Sequence, residues 1–259
     1  MQLWTDAHIR TVLPALAVML LLGWGLRMLL IRKSLPIRMI PLQVIACMLV
    51  ALEVGKQVLS FARGYDLYHI PLHVCSLFVF VLPAMAFYRG GHRQRVNTVT
   101  CSLCTAVTAM MLIYPNLIYS AENIRGLLTD FMSFHTVVFH NLVMLAFVLI
   151  LFLELHPHRA AEDGRTVAVF TAGYCAVAAT AAQLLKTNYA NFYSCNIPVF
   201  ERLRCALTEQ LGSAVTQLLY VLIVAALHIL FIQGAFRLYR LLTAAAALER
   251  SHSRRLHIP

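Results

Sequence analysis

Apolar runs of close to 20 residues recur along the whole chain, and that spacing leaves few folds open. A helix rises about 1.5 Å per residue, so such a run spans the roughly 30 Å hydrocarbon core of a bilayer. In lipid the backbone polar groups must be satisfied within the segment, which selects helices. The pattern predicts helices at roughly 12–31, 40–61, 71–88, 96–114, 133–154, 166–185 and 211–236. The expected fold is an all-α integral membrane protein, a polytopic bundle of about seven transmembrane helices forming one domain over residues 1–259, without internal repeats. Composition points the same way. Of the 259 residues 60% are hydrophobic and only 12% charged, about half the charge of a soluble domain. The first run has no small-residue cleavage site and is followed by Arg32 and Lys33, so no signal peptide is expected.

The net charge is +10, but the basic residues sit in short loops between apolar runs. That is a topology signal rather than a nucleic-acid surface, and no nucleic-acid partner is expected. One set of loops holds Arg32, Lys33, Arg38, Arg89, Arg93, Arg95, Arg159, Arg165, Arg237, Arg240, Arg250, Arg254 and Arg255. The other holds Arg10, Arg63, Arg125, Lys186, Arg202 and Arg204, offset by Asp6, Asp66, Glu122, Asp130, Glu201 and Glu209. Thirteen against six makes the first side cytoplasmic, with the N-terminus outside and the C-terminus inside. The expected location is a multi-pass position in a bacterial plasma membrane.

On this topology the unusual polar residues gather at one end. His69, His73 and Cys75 fall at the outer end of the third predicted helix, with Pro71 in its first turn. Glu53 and Lys56 lie in the outer half of the second, and His135, His140 and Asn141 in the outer half of the fifth. Tyr114-Pro115-Asn116 closes the fourth; Lys186, Asn188 and Tyr189 follow the sixth. Cys75 would lie about 6 Å, and His140 about 10 Å, below its helix start. Five helices offering polar groups at one depth suggest a shared pocket. On a regular helix Cys75 and His73 would face opposite ways, while His69 and His73 would share a face. A nucleophilic Cys75 would therefore take its base from another helix, with His140 or His135 the source.

Other groups have plainer readings. Cys101 and Cys104 form a C-x-x-C in mid-helix and read, like Cys47 and Cys175, as packing residues. Glu53 and Lys56, three apart, would neutralise one another. Ser76 would bond its own backbone. His92, His156 and His158 read as solvated loop residues, and Arg27 as snorkelling to the inner surface. Cys195 and Cys205 share the outer connection and are candidates for a disulfide.

Pro71-Leu72-His73-Val74-Cys75-Ser76-Leu77 resembles the signature of the YwaF-like bacterial integral membrane proteins. Tyr114-Pro115-Asn116, the run Phe134 to Asn141, and Asn188-Tyr189 agree in order. That family is similar to a vertebrate transmembrane acyltransferase that moves polyunsaturated acyl chains between phospholipids through a Cys and a His. The resemblance implies Cys75 as nucleophile and His140 as base, with His135 in reserve. It also implies membrane phospholipids and lysophospholipids as partners and no cofactor. His73, His69, Asn141, Asn188, Tyr189 and Glu53 are the candidate substrate-binding residues, several of them as oxyanion donors. Relatives continue with a Trp-containing segment, whereas Trp4 and Trp24 are the only tryptophans here. Two other classes stay open: a lipid hydrolase using the same residues, and a transporter or small-molecule-binding protein with a polar outer pocket. A metal site built from His69, His73, His135 and His140 is a weaker alternative, and no metal is expected. The charge pattern makes one direct prediction. A reporter fused after Pro259 should report from the cytoplasm and a tag before Trp4 from outside; both termini on one side would overturn the seven-span arrangement.

Overall fold

A computed structural model of the chain describes residues 4–155, 162–195 and 198–255. His156, Pro157, His158 and Arg159 fall outside the described residues. All regular structure within them is helical. The helices are α1 (Asp6–Leu30), α2 (Leu35–Ala62), α3 (Phe78–Phe87), α4 (Arg93–Ile113), α5 (Ala121–Gly126), α6 (Phe131–Phe152), α7 (Glu162–Leu185), α8 (Pro198–Leu211) and α9 (Ser213–Arg255). Six of them, α1, α2, α4, α6, α7 and α9, are long and apolar enough to cross a membrane. The protein is a polytopic all-α membrane protein, with the short third apolar helix set among six full-length ones.

The ends of the helices follow from local chemistry. Thr5 caps α1 through a reciprocal pair with His8, and Asp130 caps α6 by accepting from the Ser133 amide at 2.8 Å. Pro36 sits in the first turn of α2, so that helix starts five residues earlier than the sequence suggested, with Pro41 inside it. Sequence periodicity also passed over α5 and α8, short helices in connections. Arg27 is engaged at the C-terminal end of α6. Its guanidinium donates to the Phe152 carbonyl and to Glu154 Oε1 at 3.1 Å, and Arg38 donates to the Leu153 carbonyl at 2.9 Å. Two cations thereby satisfy the open carbonyl end of α6.

The largest departure is the third helix. The residues expected to run as one helix from 71 instead continue, after a 3-10 turn at Leu67–His69, through bends and a turn to a second 3-10 turn at Cys75–Leu77, and only then enter α3. Pro71 fixes its own φ and pushes Ile70 to an extended conformation, with φ −57° and ψ 133°, which a helix cannot contain. The apolar helical stretch, Cys75–Phe87, rises only about 20 Å. Non-helical backbone must complete the crossing.

Inside the bundle α4 is the central post, packed against α3, α6, α7 and α9. It is the most enclosed span although it carries buried Asn97, Thr98, Thr100, Ser102, Thr105 and Thr108. The hydroxyls mostly turn back on their own helix: Thr100, Ser102 and Thr105 donate to the carbonyls of Val96, Thr98 and Cys101 at 2.8–2.9 Å. Cys101 and Cys104 are fully buried, as packing residues should be. All seven cysteines are free, so the candidate bridge between Cys195 and Cys205 is not formed.

Helix α1 approaches α6 through Gly23, where an added Cβ would stand 2.6 Å from Val148 Cγ1. Two residues on, Gly25 has nothing within 4 Å. Small residues let membrane helices close in, and overpacking them costs on the order of 1–3 kcal/mol. Gly23→Leu should therefore lower the melting temperature in detergent, while Gly25→Leu leaves it within about a degree of wild type. Equal effects would mean that α1 does not dock through this face.

Candidate functional site

The segment from Leu67 to Leu77 holds two 3-10 turns joined by irregular backbone, and a buried carbonyl in it that no helix satisfies needs a donor. Three side chains from three places supply such donors. Gln57 of α2 donates to the His69 carbonyl at 2.7 Å. Tyr174 of α7 donates to the Leu72 carbonyl at 2.9 Å. Tyr189, from the turn after α7, donates to the Leu67 carbonyl. Asp66 starts the segment by accepting from the Tyr68 amide at 2.8 Å. His69 Nδ1 meets Ser60 Oγ at 2.6 Å, and the His73 ring is held between Tyr68 at 4.5 Å and Tyr189 at 5.6 Å.

Pinned in this way, the segment forms one wall of a cavity of about 430 Å³, within the ~300–1,000 Å³ range of ligand sites. His69, His73, Cys75 and Ser76 line it from the segment, and Lys56 from α2. His135, Thr136 and His140 line it from α6, and His228 from α9. The rest is apolar and adaptable, with Val107, Met110 and Met111 of α4, Met132 of α6 and Ile232 of α9. Because the backbone is not helical at His73, that residue and Cys75 share the cavity instead of facing opposite ways. Cys75 is half-buried.

Helix α6 presents its two histidines differently. His140 is buried, and its Nδ1 donates to the Thr136 carbonyl at 2.6 Å. That bond places the ring proton on Nδ1 and leaves Nε2 a lone pair, and Nε2 has no hydrogen-bond partner. His135 is packed between Phe131 and Phe139, with Nε2 3.4 Å from Glu53 Oε2 but without hydrogen-bond geometry. Of the two, His140 is the one whose Nε2 has no carboxylate beside it.

Several expected site residues are engaged elsewhere and do not line the cavity. Glu53 lies behind the wall, 2.7 Å from Lys56 Nζ and accepting from Gln57 at 2.7 Å. Asn141 donates to the Val137 carbonyl at 2.9 Å and accepts from Tyr119. Asn188 accepts from the amides of Tyr193 and Ser194, both at 3.2 Å, which closes the turn after α7. In that turn Lys186, Ala190 and Asn191 hold φ of 52°, 47° and 64°, a costly conformation for residues with a Cβ. The turn's contribution to the cavity is Ala190 and Asn191, while Tyr189 is fully buried. The described residues hold no group of three or more His, Cys, Asp or Glu side chains able to bind a metal ion, so the histidines do not converge on one point.

His228 was missed by sequence reasoning. It is the only histidine of the apolar stretch Ser213–Ala244 of α9, its Nδ1 meets the Val224 carbonyl at 2.9 Å, and its ring stacks on Phe192 at 5.3 Å. The available signal was an ionisable side chain inside an apolar run.

A family model described as the TMEM164 family matches residues 3–237, nearly the whole chain. No curated protein and no solved structure matches it. The cavity generates a test of its own. N-Ethylmaleimide should alkylate Cys75 in the folded protein but reach Cys101 and Cys104, both 0% exposed, only after denaturation. Peptide mapping that finds Cys75 protected to the same extent as these two would show that the cavity admits no ligand.

Proposed function

The chain belongs to the TMEM164 family, a transmembrane protein family, and from that membership and the cavity together we propose that it is a phospholipid acyltransferase working through a thioester on Cys75. The observation that carries this reading is that one cavity is lined both by a half-buried thiol and by an imidazole whose Nε2 has no hydrogen-bond partner. The mixed lining supports a lipid: imidazoles and Lys56 surround the polar part, and methionines and branched aliphatics offer a berth for an acyl chain. The orientation with the site toward the outer leaflet, the N-terminus outside and the C-terminus cytoplasmic belongs to the same proposal, as does the kinship with the YwaF-like proteins.

In the proposed reaction His140 Nε2 takes the Cys75 proton and the thiolate adds to an ester carbonyl of the donor phospholipid. Charge collects on the carbonyl oxygen as the tetrahedral species forms. The tetrahedral species collapses with cleavage of the ester C–O bond, and the departing glycerol oxygen takes the proton back from His140. A lysophospholipid hydroxyl then gives its proton to His140 and adds to the thioester. Cleavage of the C–S bond releases the new phospholipid, and the proton returns to sulfur. Water as the acceptor would make the same unit a hydrolase, and product analysis separates the two.

Residues acting as one unit lose activity non-additively. Cys75→Ala and His140→Ala should each reduce transfer to background, and the double variant should be no worse. Cys75→Ser should stay folded and lose most activity, since a hydroxyl ionises far less readily than a thiol with a pKa of ~8.5. His135→Ala should retain measurable turnover. Intact-protein mass spectrometry with donor phospholipid alone should show an acyl adduct on Cys75. Wild-type turnover by Cys75→Ala protein would refute the mechanism.

A further inference from the structure

Acyl transfer through Cys75 and His140 gives no role to the cation at Lys56. A charged side chain in a membrane helix is costly and is retained only where it is paired or used. Lys56 is paired, its Nζ lying 2.7 Å from Glu53 Oε1. The pair is nevertheless arranged asymmetrically. Glu53 is 5% exposed and stands behind the cavity wall, whereas Lys56 lines the cavity. Glu53 is also shared, accepting from Gln57 at the same oxygen and standing 3.4 Å from His135 at the other. An ammonium carries three N–H donors, and among the described residues Glu53 is its one ion-pair partner. A self-contained ion pair would bury both charges away from open space.

The neighbouring wall adds a second unused group. His73 Nε2 is buried without a hydrogen-bond partner, and His73 lines the same cavity. Lys56 and His73 thus line the same cavity from different elements. An ammonium with donors to spare, in one cavity with an unpartnered imidazole nitrogen able to take up a proton, is the complement of a tetrahedral oxyanion, for which charge-assisted hydrogen bonds are strong. We propose that Lys56, backed by Glu53 and joined by His73, is the anchor for the phosphate group of a phospholipid headgroup. Glu53 then fixes the ammonium in place, and the anchored phosphate sets the ester within reach of Cys75.

This inference takes the lipid ligand from the reading above but not the thioester chemistry, so it is tested by binding in the inactive Cys75→Ala background. Native mass spectrometry of the full chain would compare lysophosphatidylglycerol, a monoacylglycerol of the same chain length, and inorganic phosphate. A charge-assisted contact is worth about tenfold or more in affinity. Lysophosphatidylglycerol should therefore bind about tenfold or more tightly than the monoacylglycerol. That preference should survive Lys56→Arg and strengthen in Glu53→Gln, which frees the ammonium. It should fall to within about twofold in Glu53→Gln/Lys56→Met, a variant that removes both charges and so leaves no unpaired one buried. An unchanged preference in the double variant would overturn the proposal. Inorganic phosphate binding as tightly as the lysophospholipid, and depending on Lys56, would overturn the lipid headgroup in favour of a free phosphate. Failure of Cys75 acylation alone would leave the binding result standing.

Discussion

A backbone carbonyl in hydrocarbon must find a donor, and the site of this protein is built from that requirement. Pro71 denies a regular helix to the stretch before α3, leaving the carbonyls of His69 and Leu72 to side chains while that of Leu67 takes a side chain beside the Ile70 amide. Gln57, Tyr174 and Tyr189 are those side chains, from α2, from α7 and from the turn beyond α7. The bonds that make the break tolerable also tie the Cys75 segment to both flanks of the bundle. Positioning and solvation are here the same set of contacts.

The charged groups follow a related logic. Glu53, Lys56, Gln57 and His135 form a cluster in which the carboxylate is the common acceptor. The cluster is near electrical neutrality, yet its cationic member faces open space. The imidazoles around it are kept in defined tautomers by carbonyls of their own helices, at Thr136 for His140 and at Val224 for His228. A helix can thus set the proton position on a ring with no help from its neighbours, and leave the other nitrogen to the cavity.

The crossing segments were legible because lipid allows one periodicity and one length, and six of the seven expected spans appear as long helices. The gathering of His69, His73, Cys75, His135 and His140 was legible from depth alone, since depth is a count of residues. Direction was not. Treating residues 71–88 as a regular helix placed His73 and Cys75 on opposite faces; the break at Pro71 cancels that inference. Asn141, Asn188 and Tyr189 looked like ligand-facing groups because polarity in an apolar setting is conspicuous, but the sequence does not say whether a polar atom is owed to a substrate or to a nearby carbonyl. His228 was overlooked for the converse reason: with no second polar residue beside it, nothing marked it out until α9 was folded against Phe192.

The hydroxyls of α4 bear on biogenesis. This post is made before α6, α7 and α9, which later surround it, so it must wait in the bilayer with six polar side chains uncovered. Because Thr100, Ser102 and Thr105 spend their protons on carbonyls of the same helix, much of that polarity is already discharged when the segment leaves the translocation machinery. The centre of the finished bundle is a helix able to stand alone in lipid, around which later-synthesised spans can assemble in sequence.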